Sequence, residues 1–156
     1  MGLRKIEIDT IGNIIEAIIK SLPLFSNYKL VKKDIQELSS PTEVINYDFV
    51  FISAKYNRWM FVRLQDFFKH QNLVIWINEL INKKNTNIDL GNYFISELNN
   101  KKIKQQLFFK IHSENDLKNK LECAFRNINE QMDDKLKKVL MGELWINTPL
   151  DWGDYK

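Results

Sequence analysis

The middle of the chain carries the strongest alternation of hydrophobic and polar positions. Over residues 44–64, two runs rich in β-branched and aromatic residues flank a short polar break at residues 55–57. This pattern is typical of a β-hairpin. Alternate side chains of a strand point to opposite sides of a sheet, and both sides of this hairpin carry apolar residues. We therefore expect a central position in a sheet that is covered at least in part on both faces.

Further strands are predicted on either side of the hairpin. Residues 28–38 alternate imperfectly and are rich in charge, which suits an edge strand. The apolar run at residues 73–77 predicts a fourth strand, and residues 106–111 predict a fifth. The connections between the first four strands are too short for a crossover, so the sequence predicts an antiparallel meander.

A short helix is predicted at residues 90–98, after a cap at Asp89. Two longer helices are predicted from apolar residues that recur every three or four positions. The first covers residues 10–22 and ends at Pro23, and the second runs from Ser113 to about Leu140. Ser113, with Asp116 three residues later, forms a variant of the capping box. The predicted fold class is therefore α+β: an antiparallel β-meander sheet packed by an N-terminal helix and a long C-terminal helix. The second stripe also fits a coiled-coil seam, so monomer and homodimer both stay open.

Length and composition indicate one globular domain. The 156 residues are 44% hydrophobic and 28% charged, as in ordinary folded proteins. We assign residues 1–156 to a single domain, with residues 143–156 as an aromatic, acidic and non-helical tail. The single cysteine, Cys123, excludes an internal disulfide and fits a reducing cytoplasm. No signal peptide pattern and no apolar run of about 20 residues is found, so we expect a cytoplasmic protein without a membrane partner.

The search for catalytic or cofactor-binding motifs returns no complete pattern. His70 and His112 have no ligand partners at metal-site spacing, and Cys123 lies on the predicted helix face opposite the apolar stripe. The five glycines are scattered, so no loop can surround a phosphate with backbone amides. Asp48 and Lys55 form only part of a nuclease pattern. The sequence predicts a non-enzyme with no cofactor, catalytic residue or metal site; a nuclease-like enzyme with dispersed active-site residues is an alternative.

A nucleic-acid-binding module is the second alternative. The net charge is +3, and four lysines lie close together in sequence at positions 101, 102, 104 and 110. Arg58 and Trp59 are the one adjacent pair able to combine a cation with a stacking ring. Interleaved acidic residues dilute any continuous basic stripe, so this alternative ranks below a protein partner.

The C-terminal tail carries the strongest recognition signal. Its tryptophan and tyrosine residues alternate with carboxylates, and such aromatic residues are enriched at interaction hot spots. The competing interpretation is that the tail folds back and its tryptophans fill one end of the core. The residues predicted to bind a partner are Arg58, Trp59, Trp145, Asp151, Trp152, Asp154 and Tyr155.

In size and order of elements, the chain resembles small bacterial immunity proteins, which neutralise a cognate toxin. The local features that carry this resemblance are YDFVF at residues 47–51, RWMFV at residues 58–62 and GELW at residues 142–145. The resemblance implies a cytoplasmic inhibitor that occludes the active surface of a toxin. Together with the missing catalytic motifs, it predicts a non-enzymatic protein-binding function.

Overall fold

The computed structural model describes residues 3–38, 44–81 and 87–146. Within these ranges, a 3₁₀ turn at Leu3–Lys5 precedes eleven further helices and strands. In chain order these are α1 Ile8–Ser21, β1 Lys29–Leu38, β2 Val44–Ser53, β3 Arg58–Asp66, β4 Gln71–Glu79, β5 Ile88–Asp89, α2 Leu90–Ser96, α3 Lys101–Gln106, β6 Phe108–Phe109, α4 Glu114–Gln131 and α5 Asp134–Leu140.

The strands form one antiparallel sheet, which confirms the predicted α+β fold. The strand order is β1-β2-β3-β4-β5, and β6 pairs with β4. The four long strands follow one another as a meander, with β1 at the edge. In the registers of β3, Phe61 lies opposite Val50 of β2 and opposite Trp76 of β4.

Two predicted elements differ from those observed. The long C-terminal helix is divided into α4 and α5 because Met132 has an extended backbone and Asp133 starts a new helix by accepting the N–H of Leu136. The predicted fifth strand is reduced to two residues, and the lysine-rich segment before it is the helix α3, capped by Asn100. This polar segment begins a helix because the Asn100 side chain accepts the backbone N–H of Ile103.

The helices pack on one face of the sheet. Alternate residues of β2, β3 and β4, including Phe49, Phe51, Val62 and Ile75, join the buried side chains of all the α-helices in one hydrophobic cluster. The apolar residues on the other face belong neither to this cluster nor to the side chains packed against it. Within the described residues the helices therefore cover one face of the sheet, whereas the sequence predicts cover, at least in part, on both faces. We call the second face the open sheet face; it is formed by Asp48, Val50, Ile52, Trp59, Phe61, Arg63, Gln65, Val74 and Trp76.

The C-terminal end of the helical layer is fixed to the sheet by a buried tyrosine. The hydroxyl of Tyr28 donates to the carbonyl oxygen of Leu140 at 2.7 Å, and the side chain is almost fully buried. Burial raises the pKa of Tyr28 above its ordinary value near 10, with a smaller opposing effect from the charge of Arg58.

None of the helices in the described part of the chain is long and apolar enough to cross a membrane.

The contribution of Tyr28 to the free energy of unfolding is expected to depend on pH. Below about pH 10 the phenol is protonated in both the folded and the unfolded chain, so its contribution to the free energy of unfolding is constant. At higher pH the unfolded chain loses the proton first, so this contribution falls. Replacing Tyr28→Phe is expected to cost about 1 kcal/mol at pH 8, through the lost hydrogen bond. The difference from the wild type should shrink by pH 11, as measured by urea unfolding. A difference that is unchanged or larger at pH 11 would contradict the assignment.

Candidate functional site

Three aromatic rings form a continuous stack on the open sheet face. Trp59 and Phe61 are two residues apart on β3, so their side chains leave the same side of the strand. Their ring centroids are 5.5 Å apart. Phe61 also stacks on Trp76, which lies directly opposite on β4, with a centroid distance of 5.1 Å. Cross-strand aromatic pairs of this kind stabilise a sheet, and here they build a rigid apolar ridge.

An arginine extends this aromatic stack. The guanidinium carbon of Arg63 lies 5.1 Å from the ring centroid of Phe61 and 5.4 Å from that of Trp76. Its Nε and Nη2 donate to the two carboxylate oxygens of Asp48 at 2.7 and 3.0 Å. A bidentate pair holds the guanidinium in one plane, and the rings hold its flat face. Arg63 is therefore preorganised at the centre of the face.

The open sheet face is apolar and close to electrically neutral. Asp48 and Arg63 cancel each other's charge, and the other positions are aliphatic, aromatic or amide side chains. Phe61, Val74 and Trp76 are half-buried because neighbouring side chains on the same face cover their flanks. Aromatic residues and arginine on a near-neutral patch are typical of the centre of a protein–protein interface.

Of the predicted partner-binding residues, Trp59 lies on the open sheet face and Arg58 does not. Arg58 is only 4% exposed. Its guanidinium donates to the carbonyl oxygens of Asn57, Val139 and Leu144 at 3.0, 2.6 and 2.9 Å. Desolvation lowers the pKa of Arg58 from its ordinary value. Because its guanidinium is bonded to these carbonyl oxygens inside the fold, Arg58 does not form part of a partner-binding surface.

Trp145 also has a structural position. It is half-buried, packs against the hydrophobic core and lies under Arg58, with 5.2 Å between the guanidinium carbon and the ring centroid. This is the place expected if the start of the tail closes one end of the core. The other tail residues predicted to bind a partner, Asp151, Trp152, Asp154 and Tyr155, lie outside the described residues.

The side chains examined as catalytic or metal-binding candidates are dispersed. The described ranges hold no group of three or more histidine, cysteine, aspartate or glutamate side chains able to bind a metal ion. The ring of His70 stacks on Phe67 at a centroid distance of 4.9 Å, and Cys123 is exposed. The backbone N–H of His112 donates to Asp116, and this bond contributes most to the lowered pKa of that carboxyl. These contacts are typical of structural positions.

The sequence analysis does not identify Phe61, Arg63 and Trp76 as candidate binding residues. The two-residue period of a strand places Trp59, Phe61 and Arg63 on one side of β3. The sequence feature that could have identified Trp76 is the four-residue turn at residues 67–70, because it fixes the register that brings Trp76 beside Phe61.

Comparisons with protein families, with curated proteins and with solved structures found no match.

Proposed function

We propose that this chain is a non-enzymatic protein-binding protein and that the open sheet face is its main contact surface. The observation that carries the proposal is the stack of Trp59, Phe61 and Trp76 with Arg63 held beside it. Tryptophan and arginine contribute more than most residues to binding energy when they are buried at an interface centre. Preorganised side chains lose little conformational entropy on binding.

The composition of the face favours a protein over a nucleic acid. A nucleic-acid surface needs an excess of cations to contact phosphates, whereas Arg63 on this face is neutralised by Asp48 at 2.7 Å. Base stacking also needs accessible ring faces. The faces of Phe61 are shared with Trp59, Trp76 and Arg63. We therefore rank a nucleic-acid ligand below a protein.

Among protein partners we propose a cognate toxin, in the manner of a bacterial immunity protein. In this mechanism the open sheet face covers the active surface of the toxin and excludes its substrate, without a chemical step. The single cysteine in the sequence favours a reducing, cytoplasmic site of action. The tail residues Trp152 and Asp154 are proposed to contribute further contacts with the toxin.

A growth assay with matched variants tests this function. The candidate toxin is the product of the gene next to the one that encodes this chain. That gene is expressed alone, to establish whether it arrests growth, and then together with this chain. Trp76→Thr removes a ring from the centre of the face and keeps a residue that favours β-strands. A hot-spot truncation costs at least about 2 kcal/mol of binding free energy, so we expect an increase of about 30-fold in Kd and loss of protection.

A control variant and the alternative functions are tested beside these variants. Phe108→Ala removes an exposed ring at the end of the sheet and should leave protection and Kd unchanged. A double variant, Trp152→Ala with Asp154→Ala, measures how much the tail contributes to protection and to binding of the toxin. Wild-type affinity in Trp76→Thr, with an unchanged melting temperature, would contradict the proposed surface. If the neighbouring product is harmless, the toxin partner is contradicted; binding to single-stranded RNA that weakens steeply with salt would favour the nucleic-acid alternative.

A further inference from the structure

The edge strand β1 is long and carries exposed apolar residues. One side of this ten-residue strand pairs with β2, and no other described strand pairs with its second side. Val31, Ile35 and Leu38 are 55%, 44% and 48% exposed. They are three of the six large hydrophobic side chains exposed in the described ranges. A long edge strand with exposed apolar residues is a template for pairing with another strand.

The charges of β1 are divided between its two halves. Lys29, Lys32 and Lys33 lie in the first half, and Asp34 and Glu37 lie in the second. An antiparallel pairing of two identical strands places the first half of one against the second half of the other. Cations then meet anions, whereas a parallel pairing in register places lysine against lysine. We infer that the edge of β1 is a self-association surface and that its occupant is β1 of a second copy of this chain, paired antiparallel.

The irregularity in β1 defines the register of this dimer. The pairing with β2 shifts between Leu30 and Lys32, so Val31 is the extra residue of a bulge. Regular pairing extends from Lys32 to Leu38, and its midpoint is Ile35. A symmetric pairing that uses the whole regular segment places Ile35 on the two-fold axis, facing its own copy. Lys33 then lies opposite Glu37 of the other copy, and this ion pair occurs twice.

The environment of Ile35 and Lys33 fits this arrangement. The N–H of Ile35 donates to the side-chain carboxylate of the neighbouring Asp34 at 3.0 Å, which places it on the side of the strand turned away from β2. The dimer exchanges this bond for one to the carbonyl of the second copy. Ile35 also lines an open groove with Ile6 and Ile8, so pairing covers apolar surface. Lys33 is ion-paired with Asp9 at 2.7 Å, and its ammonium has three donors, which allows a second acceptor.

The two-fold axis determines on which side of the joined sheet the helices of both copies lie. A two-fold axis that relates antiparallel edge strands is perpendicular to the sheet, so both helical layers lie on one side of the joined sheet. Both open sheet faces then lie together on the other side. Because two edge strands bury less surface than a stable protein interface, we expect a weak dimer that depends on concentration. This dimer does not depend on the partner proposed above.

Charge-exchange variants test the dimer by sedimentation velocity between about 10 µM and 1 mM. The wild type is expected to shift from 18.6 kDa to twice that mass. Glu37→Lys places lysine opposite Lys33, and Lys33→Glu places glutamate opposite Glu37. Like charges directly opposite destabilise strand pairing, so each variant alone should need about tenfold more protein to dimerise. In an equimolar mixture both ion pairs form between the two variants, and a heterodimer of wild-type strength should appear.

Several results would overturn the inference. A wild type that stays monomeric up to 1 mM contradicts it, and so does a dimer that both single variants leave unchanged. Failure of the mixture to restore association also contradicts it, provided that both variants unfold at the wild-type temperature. Ile35→Lys serves as an independent variant if Lys33→Glu does not fold, because it places two lysines on the axis and should abolish the dimer. A dimer unaffected by Ile35→Lys would place the contact elsewhere.

Discussion

Replacing Arg58→Met is expected to lower the free energy of unfolding by about 2 to 4 kcal/mol. The guanidinium donates to three backbone carbonyls, those of Asn57, Val139 and Leu144. Hydrogen bonds to a charged group are worth roughly 1.5–3 kcal/mol each. Part of their sum is offset because methionine avoids the cost of burying a charge. The ring of Trp145 would also lose the cation above it.

Urea unfolding measures this effect, with Arg58→Lys as the graded control. Lysine keeps the charge, but it has a single ammonium group in place of the planar fork, so we expect an intermediate loss. Hydrogen exchange of the amides of α5 should accelerate in Arg58→Met more than exchange in α1, because Val139 belongs to α5. Unfolding curves that superimpose on the wild type would show that Arg58 does not join the C-terminal segment to the sheet.

The different positions of Arg58 and Trp59 show what a sequence pattern can predict about a strand and what it cannot. The strand period correctly separates the two residues onto opposite sides of β3, and it also groups Trp59 with Phe61 and Arg63. It does not indicate which side the helices cover, because both sides carry apolar residues. Adjacent basic and aromatic residues were therefore assigned to one binding surface. Only the packing of α1, α4 and α5 shows that Arg58 is inside.

The fold itself was largely predictable because its signals are local. Apolar residues at helical spacing predicted α1 and α4, and short connections required the meander. The helix break before Asp133 was missed because the apolar stripe continues from Ile128 through Met132 to Leu136. The contact of Arg63 with Trp76 depends on strand register, and two of the three carbonyl partners of Arg58, those of Val139 and Leu144, are 81 and 86 residues away in the chain. Long-range contacts of this kind leave no pattern in a single sequence.

The opposite end of β3 carries a second buried charge that sequence reasoning did not identify. Asp66 is fully buried. Its carboxylate accepts the backbone N–H groups of Leu3 and Phe68 at 3.2 and 2.9 Å and the side-chain amide of Gln71 at 3.1 Å. Phe68 has a φ of +73°, a conformation that is unfavourable for a bulky residue. Asp66 therefore holds both the N-terminal turn and a strained β3–β4 turn against the sheet.

Replacing Asp66→Ala is expected to lower the free energy of unfolding by about 3 to 5 kcal/mol, because three donors at a buried position lose their acceptor together. Asp66→Asn gives the sharper test. An asparagine can keep one oxygen for Phe68 and Gln71, but it turns an amide donor toward the N–H of Leu3. We expect a smaller loss of stability in urea unfolding and faster hydrogen exchange at Leu3, with little change at Phe68. Equal acceleration at both amides would contradict this division of roles, because each carboxylate oxygen serves a different segment: one the N-terminal turn, and the other the turn that sets the register of β3 and β4.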